Sequence, residues 1–238
     1  MTFKNIKKTI SISLLMFYIN SYAATQSNNN NLWLHYVGKI QFNPNWSFTF
    51  ETTDRFTDWG KQHQQWFVRP SIEYAINKHL TASVGYSHYK TFSYGNPAMF
   101  KSPVEEDHIW GQISSKHTIK KWTISNRLRD ENRFIGPDQT YRNRLRYMLL
   151  FNYPLIPKKL NFQFGDEAFF NVGSYSGKSV MNQNRIIAGF AWFYKPNCQI
   201  QLNYIHQNIW NYSNTIFENN PTIRLSILNT FNLQKHEK

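Results

Sequence analysis

The chain carries one cysteine, Cys198, in 238 residues. An intrachain disulfide and a cysteine-built metal centre are therefore excluded. No segment beyond the N-terminus approaches the roughly 18 apolar residues that a membrane-crossing helix needs, which argues against helical spans. Acidic residues are scarce: 14 Asp and Glu stand against 27 Lys and Arg, a formal charge of +13. Gly-x-Gly-x-x-Gly, P-loop and His-Glu-x-x-His motifs are missing, so nucleotide-binding and zinc-protease chemistry lack their usual signatures.

What is present begins with an export signal. Lys4, Lys7 and Lys8 form a basic start, Thr9 to Ile19 is largely apolar, and Ser21 and Ala23 are small. This pattern predicts a secretory signal peptide over residues 1–23, with cleavage after Ala23. No cysteine lies near that point to take a lipid anchor. Removal of three lysines and no acid leaves a charge of about +10 on residues 24–238, a length that suits one domain. Export makes nucleic acid a poor partner. Anionic lipid or an anionic solute remains.

From Leu32 to Leu233 the chain alternates. Phe48 and Phe50 are interleaved with Ser47, Thr49 and Glu51, and Ile223, Leu225 and Ile227 with Arg224 and Ser226. The pattern blurs at Met148 to Phe151 and Ile186 to Phe193. Alternation gives a strand one apolar and one polar face. A mean hydropathy of −0.58 is compatible with a membrane barrel, which hides its apolar residues at every second position.

Eleven strands are predicted: 32–42, 46–58, 65–76, 80–94, 107–118, 122–134, 141–153, 160–172, 184–194, 198–210 and 222–233. Short connections at 43–45, 77–79, 120–121, 156–159 and 195–197 alternate with longer ones near Gly60, at 95–106, 136–140, 173–183 and 211–221. Aromatics flank both sets: Phe42, Trp46, Tyr74, Trp122, Tyr153 and Tyr194 by the turns, and Trp59, Trp66, Tyr94, Phe134, Tyr141, Phe170 and Trp210 by the loops. The expected fold is all-β: a transmembrane antiparallel up-and-down β-barrel in the bacterial outer membrane, with periplasmic turns and extracellular loops. Single-chain bacterial barrels have even strand numbers. Ala24 to Asn31 is therefore read as a twelfth short strand or as a segment threaded through the lumen, and about twelve strands are expected. Lysine on four of the five turns fits contact with anionic headgroups or plain turn chemistry.

The string Tyr141-Arg142-Asn143-Arg144-Leu145-Arg146-Tyr147 is accompanied by Trp33, Trp46, Arg127-Leu128-Arg129, Asp166-Glu167 and Asn184-Arg185. Over nearly the whole mature chain these residues resemble the bacterial outer-membrane barrel family known as domain-of-unknown-function family 2490. The resemblance implies fold and location and carries no catalytic residue. The chain departs from the usual barrel ending on an aromatic, because Asn232 to Lys238 follow Phe231.

If the apolar face meets lipid, ten arginines turn inward: Arg55, Arg69, Arg127, Arg129, Arg133, Arg142, Arg144, Arg146, Arg185 and Arg224. Glu51, Glu73, Glu131 and Glu167 turn inward with them. An arginine at mid-bilayer on the lipid face costs about 2–4 kcal/mol, which favours this assignment. A symmetric hairpin around 136–140 sets Glu131 opposite Arg144, Arg129 opposite Arg146 and Arg133 opposite Arg142. Like charges directly opposite destabilise a sheet, so glutamates, water or a bound anion must offset them. Two readings follow. The lumen is a structural cylinder crossed by salt bridges, or a narrow path or binding site for small anionic solutes.

A third reading, an outer-membrane lipid hydrolase, would recruit Ser87-His88 and His206. Adjacent strand residues point to opposite faces, which places Ser87 and His88 badly as partners. Asp166 and Glu167 are separated in the same way. Glu105, Glu106 and Asp107 are a loop candidate for calcium or simply solvated. The sequence is thus read as a non-enzyme without cofactor or resident metal, whose partners are outer-membrane lipid and small anions. It does not give an oligomeric state.

Overall fold

The structure, a computed structural model, describes residues 25–95, 102–173, 180–211, 213 and 216–233. The expected signal peptide and parts of three loops lie outside the described residues. Twelve strands form one sheet: β1 (Thr25–Asn28), β2 (Asn31–Gln41), β3 (Trp46–Thr57), β4 (Gln62–Ala75), β5 (Leu80–Thr91), β6 (Val104–Ile119), β7 (Trp122–Ile135), β8 (Thr140–Ile156), β9 (Leu160–Val172), β10 (Met181–Lys195), β11 (Cys198–Trp210) and β12 (Ile216–Asn232). From β2 to β12 each strand pairs antiparallel with the next, and β12 then pairs with β2 to close the barrel.

That closure is parallel. Eleven strands that alternate in direction leave the first and last running the same way, so no antiparallel closure is available. The twelfth strand expected upstream exists as β1, yet it takes no place of its own. It pairs with β12 in the same register as β2, Thr25 opposite Ile216 and Asn31 opposite Thr222. In that register the break between β1 and β2 places Asn30 opposite Pro221. Proline has no N–H to give a ladder. Asn30 O accepts instead from Trp59 N at 3.0 Å, and beside it the Asn29 side chain is held by Asn220, Nδ2 donating to Oδ1 at 3.0 Å.

The short turns follow local chemistry. Asn43 Oδ1 accepts from the backbone of Asn45 and Trp46 at 2.9 and 2.8 Å, and Asn77 Oδ1 does the same for His79 and Leu80 at 2.9 and 3.0 Å. These are Asx turns. Lys120 and Lys158 occupy the left-handed region at φ 54° and 60°.

Burial is inverted relative to a soluble protein. Val84, Ile109 and Leu202 are 64%, 60% and 53% exposed on the outer wall, whereas Arg69, Arg129, Glu131, Asn203 and Ser226 are buried inside. A soluble sheet hides its apolar face, and a membrane barrel presents it. Aromatic pairs edge the apolar wall. Trp46–Tyr74, Trp122–Tyr153 and Trp192–Tyr194 lie by the turns, with centroids 4.8, 4.9 and 5.6 Å apart. Phe134–Tyr141 and Trp210–Phe217 lie by the loops, at 5.8 and 5.3 Å. Tyr94, expected in the loop-side belt, is instead buried and lines the lumen. Burial, reinforced by the Glu218 carboxylate, pushes its phenol above the ordinary range.

The outer wall also carries Asp54, Asp107, Asp130 and Asp166. Each meets a neighbour on the same face: His63 at 2.5 Å, His88 at 2.9 Å, Asn143 at 2.8 Å and Asn184 at 2.7 Å. A carboxylate that keeps its own hydrogen-bond partner tolerates an apolar surround better than a bare one.

Candidate functional site

The β7–β8 hairpin has the register its sequence predicts. Arg129 faces Arg146, Glu131 faces Arg144 and Arg133 faces Arg142. The repulsion is relieved sideways. Glu131 is fully buried; it accepts from Arg144 Nη2 at 2.6 Å and Arg146 Nη1 at 2.5 Å, with Arg129 Nη1 at 3.8 Å. Glu167 gathers Arg127 at 2.6 Å, Arg146 at 2.7 Å and Arg185 at 3.4 Å. Arg146 bridges the two carboxylates. Arg129 lies over the Trp110 ring at 4.1 Å and donates Nε to Gln112 at 2.8 Å.

Trp110 fits because position 85 opposite it is glycine. A Cβ there would run into the indole and come within 2.7 Å of Pro70 O. Trp110 in turn donates Nε1 to Ser87 Oγ at 2.9 Å.

The wall of β3 and β4 is held by Arg69. It donates to Glu51 at 2.8 Å, to Ser87 at 3.0 Å and to the Tyr89 hydroxyl. Glu51 also meets His35 Nε2 at 3.2 Å. Glu73, expected to face the arginines, instead bonds Lys39 at 2.6 Å and Thr49 at 2.9 Å nearer the turns.

These side chains surround a cavity of about 630 Å³. Nine of the ten expected arginines line it: Arg55, Arg69, Arg127, Arg129, Arg133, Arg144, Arg146, Arg185 and Arg224. Arg142 does not, although its strand position points it inward beside Arg144. Glu51, Glu73 and Glu167 line the cavity, while Glu131 sits beneath its arginines. Among the described residues, nine lining arginines against five lining glutamates leave an excess of four positive charges.

The sequence reading missed Glu106, which binds Arg133 at 2.6 Å and His108 at 3.1 Å, and also Glu218. It also missed an inner aromatic layer of Trp33, Phe67, Tyr89, Trp110 and Phe169. The available signal was parity: Phe67 lies two residues from Arg69, and Phe169 two from Glu167.

The hydrolase candidates stand apart. Ser87 turns inward to Arg69 and Trp110, whereas His88 turns outward to Asp107. His206 lies 3.4 Å from the Tyr204 hydroxyl on the outer wall. The calcium candidates are split as well. Glu106 faces the lumen, while Glu105 pairs with Lys90 at 2.9 Å and Asp107 with His88 outside, so the three cannot converge on one ion.

A closed barrel with an apolar outer wall and a polar, arginine-rich lumen defines a porin-like fold. The chain matches the family described as "Protein of unknown function (DUF2490)" over residues 30–218 and belongs to that family. Among solved structures it is similar to a NanC porin in a rhombohedral crystal form, at 10% identity and TM-score 0.46, covering 79% of this chain and 94% of that one. It is also similar to outer-membrane expressed OmpT of Vibrio cholerae, at 8% identity and TM-score 0.39, covering 74% of this chain and 60% of that one. No curated protein matches the sequence.

Proposed function

We propose that the protein is an outer-membrane barrel whose lumen binds and passes small anionic solutes. The observation that carries this reading is the excess of four positive charges on the cavity lining. Rings of arginine favour anions in a narrow pore by the same electrostatics. Several lining donors also have no acceptor among the described residues, among them Trp33 Nε1, Arg55 Nε, Arg127 Nε and Arg224 Nε. The outer-membrane location is supported by the inverted burial and the two aromatic edges, and the expected export signal agrees with it.

The alternative is a non-conducting cylinder. Glu131 and Glu167 favour it, since each ties three arginines across β7 to β10.

Solute flux into proteoliposomes separates the two. The anion-path reading expects a monocarboxylate to enter faster than a neutral or cationic solute of equal size. Equal entry, or faster cation entry, contradicts it. No entry by a folded barrel leaves the cylinder.

A further inference from the structure

Resting on the lumen being an anion path, we propose that its binding point is a subsite for one organic carboxylate, formed by Arg55, Trp33 and Arg224 on the wall that carries the parallel seam. On β7 and β8, Arg127, Arg129, Arg144 and Arg146 are already held by Glu131 and Glu167, and Arg133 by Glu106. Arg224 faces Trp33 across the seam, and Trp33 faces Arg55 across β2 and β3. The three are successive neighbours in one row, and all line the cavity.

Their bonding sets them apart. Among the described residues, Arg55 and Arg224 are the lining arginines in no ion pair. Arg55 donates to Gln65 Oε1 at 2.6 Å, and Arg224 donates to Asn203 Oδ1 at 3.2 Å. Both acceptors are neutral amides, so neither guanidinium has a carboxylate in direct contact. Trp33 is only 2% exposed, and among the described residues its Nε1 has no acceptor; Arg55 Nε and Arg224 Nε have none either. A buried donor without a partner is unfavourable until something accepts from it.

The donor set selects the ligand. An indole N–H can only donate, so it gives nothing to a cation. Two planar guanidinium groups match the flat fork of a carboxylate. The Arg55 guanidinium lies over the Trp33 ring at 4.3 Å and near Phe67 at 5.1 Å, which fixes its plane before any ligand arrives. Part of the adjoining lining is apolar. Ile187 clusters with Trp33 and Phe67 lies beside Arg55, while along the seam the next pair is polar, Ser226 with His35, and Leu228 faces Val37 four residues on. A carboxylate with a short alkyl tail therefore fits better than a compact hydrated inorganic anion.

The test is thermal unfolding of the refolded full-length barrel in detergent, with sodium butyrate replacing sodium chloride at constant ionic strength. The unfolding midpoint rises with butyrate and saturates. Arg224→Gln and Trp33→Phe each weaken the apparent affinity by about tenfold or more. Lys90→Gln, which removes one positive charge from the outer wall, leaves it unchanged. Trp33→Phe keeps the ring and removes the N–H, so it remains informative if the arginine variant fails to fold. A rise that persists in both lumen variants overturns the subsite and leaves the anion path standing. So does a wild-type barrel that passes anions but shows no rise. A barrel with neither rise nor anion flux overturns both proposals.

Discussion

Glu131→Ala lowers the unfolding free energy of the barrel by about 3–5 kcal/mol. The side chain has no exposed surface, and it accepts from Arg144 and Arg146 at 2.6 and 2.5 Å, with Arg129 at 3.8 Å. Without it Arg129, which faces Arg146 across the hairpin, loses its nearest carboxylate. Glu167 still holds Arg146 but cannot relieve Arg144 as well. The matched control is Glu73→Ala. Its lysine partner is 37% exposed, and an ion pair of that kind is worth at most about 1 kcal/mol. Urea titration in lipid vesicles reads both. Equal losses would show that Glu131 carries no special burden. The same change adds one net positive charge to the lumen, so the anion-path reading also expects the folded fraction to become more anion-selective.

Leu202→Arg tests the inverted burial from outside. Leu202 projects from β11 between Phe190 on β10 and Leu225 on β12, within the apolar wall. In a bilayer an arginine there costs about 2–4 kcal/mol. On the wet surface of a soluble sheet the same substitution would stay within about 0.5 kcal/mol. A near-neutral result in lipid vesicles would remove this face from the membrane and the location with it.

Much of the fold is legible in the sequence because a period of two is a local property. Strands β2 to β12 follow from alternation, and the β7–β8 register follows from a short loop closing a symmetric hairpin. Alternation assigns a face, not a neighbour across the lumen. It therefore puts Glu73 inside but cannot show that Lys39 reaches it first, and it puts Arg142 inside without showing that it misses the cavity. Strand ends are similarly weak. Three acids in a row, Glu105 to Asp107, look like a solvated loop, yet β6 begins at Val104 and makes Glu106 the partner of Arg133. The parallel seam is a closure property of the whole sheet. Its local trace is Pro221, whose missing N–H falls where β1 gives way to β2. Aromatics in a barrel sequence point first to the membrane edges, whereas Trp33, Phe67, Trp110 and Phe169 stack beneath arginines in the lumen.

The most direct test of the anion path is the reversal potential of single channels formed by the refolded protein in a planar bilayer under a potassium chloride gradient. The lumen described here predicts small, stable steps whose reversal potential lies toward that of chloride. A reversal potential toward potassium, or silence at every voltage from a barrel proved folded, would contradict it.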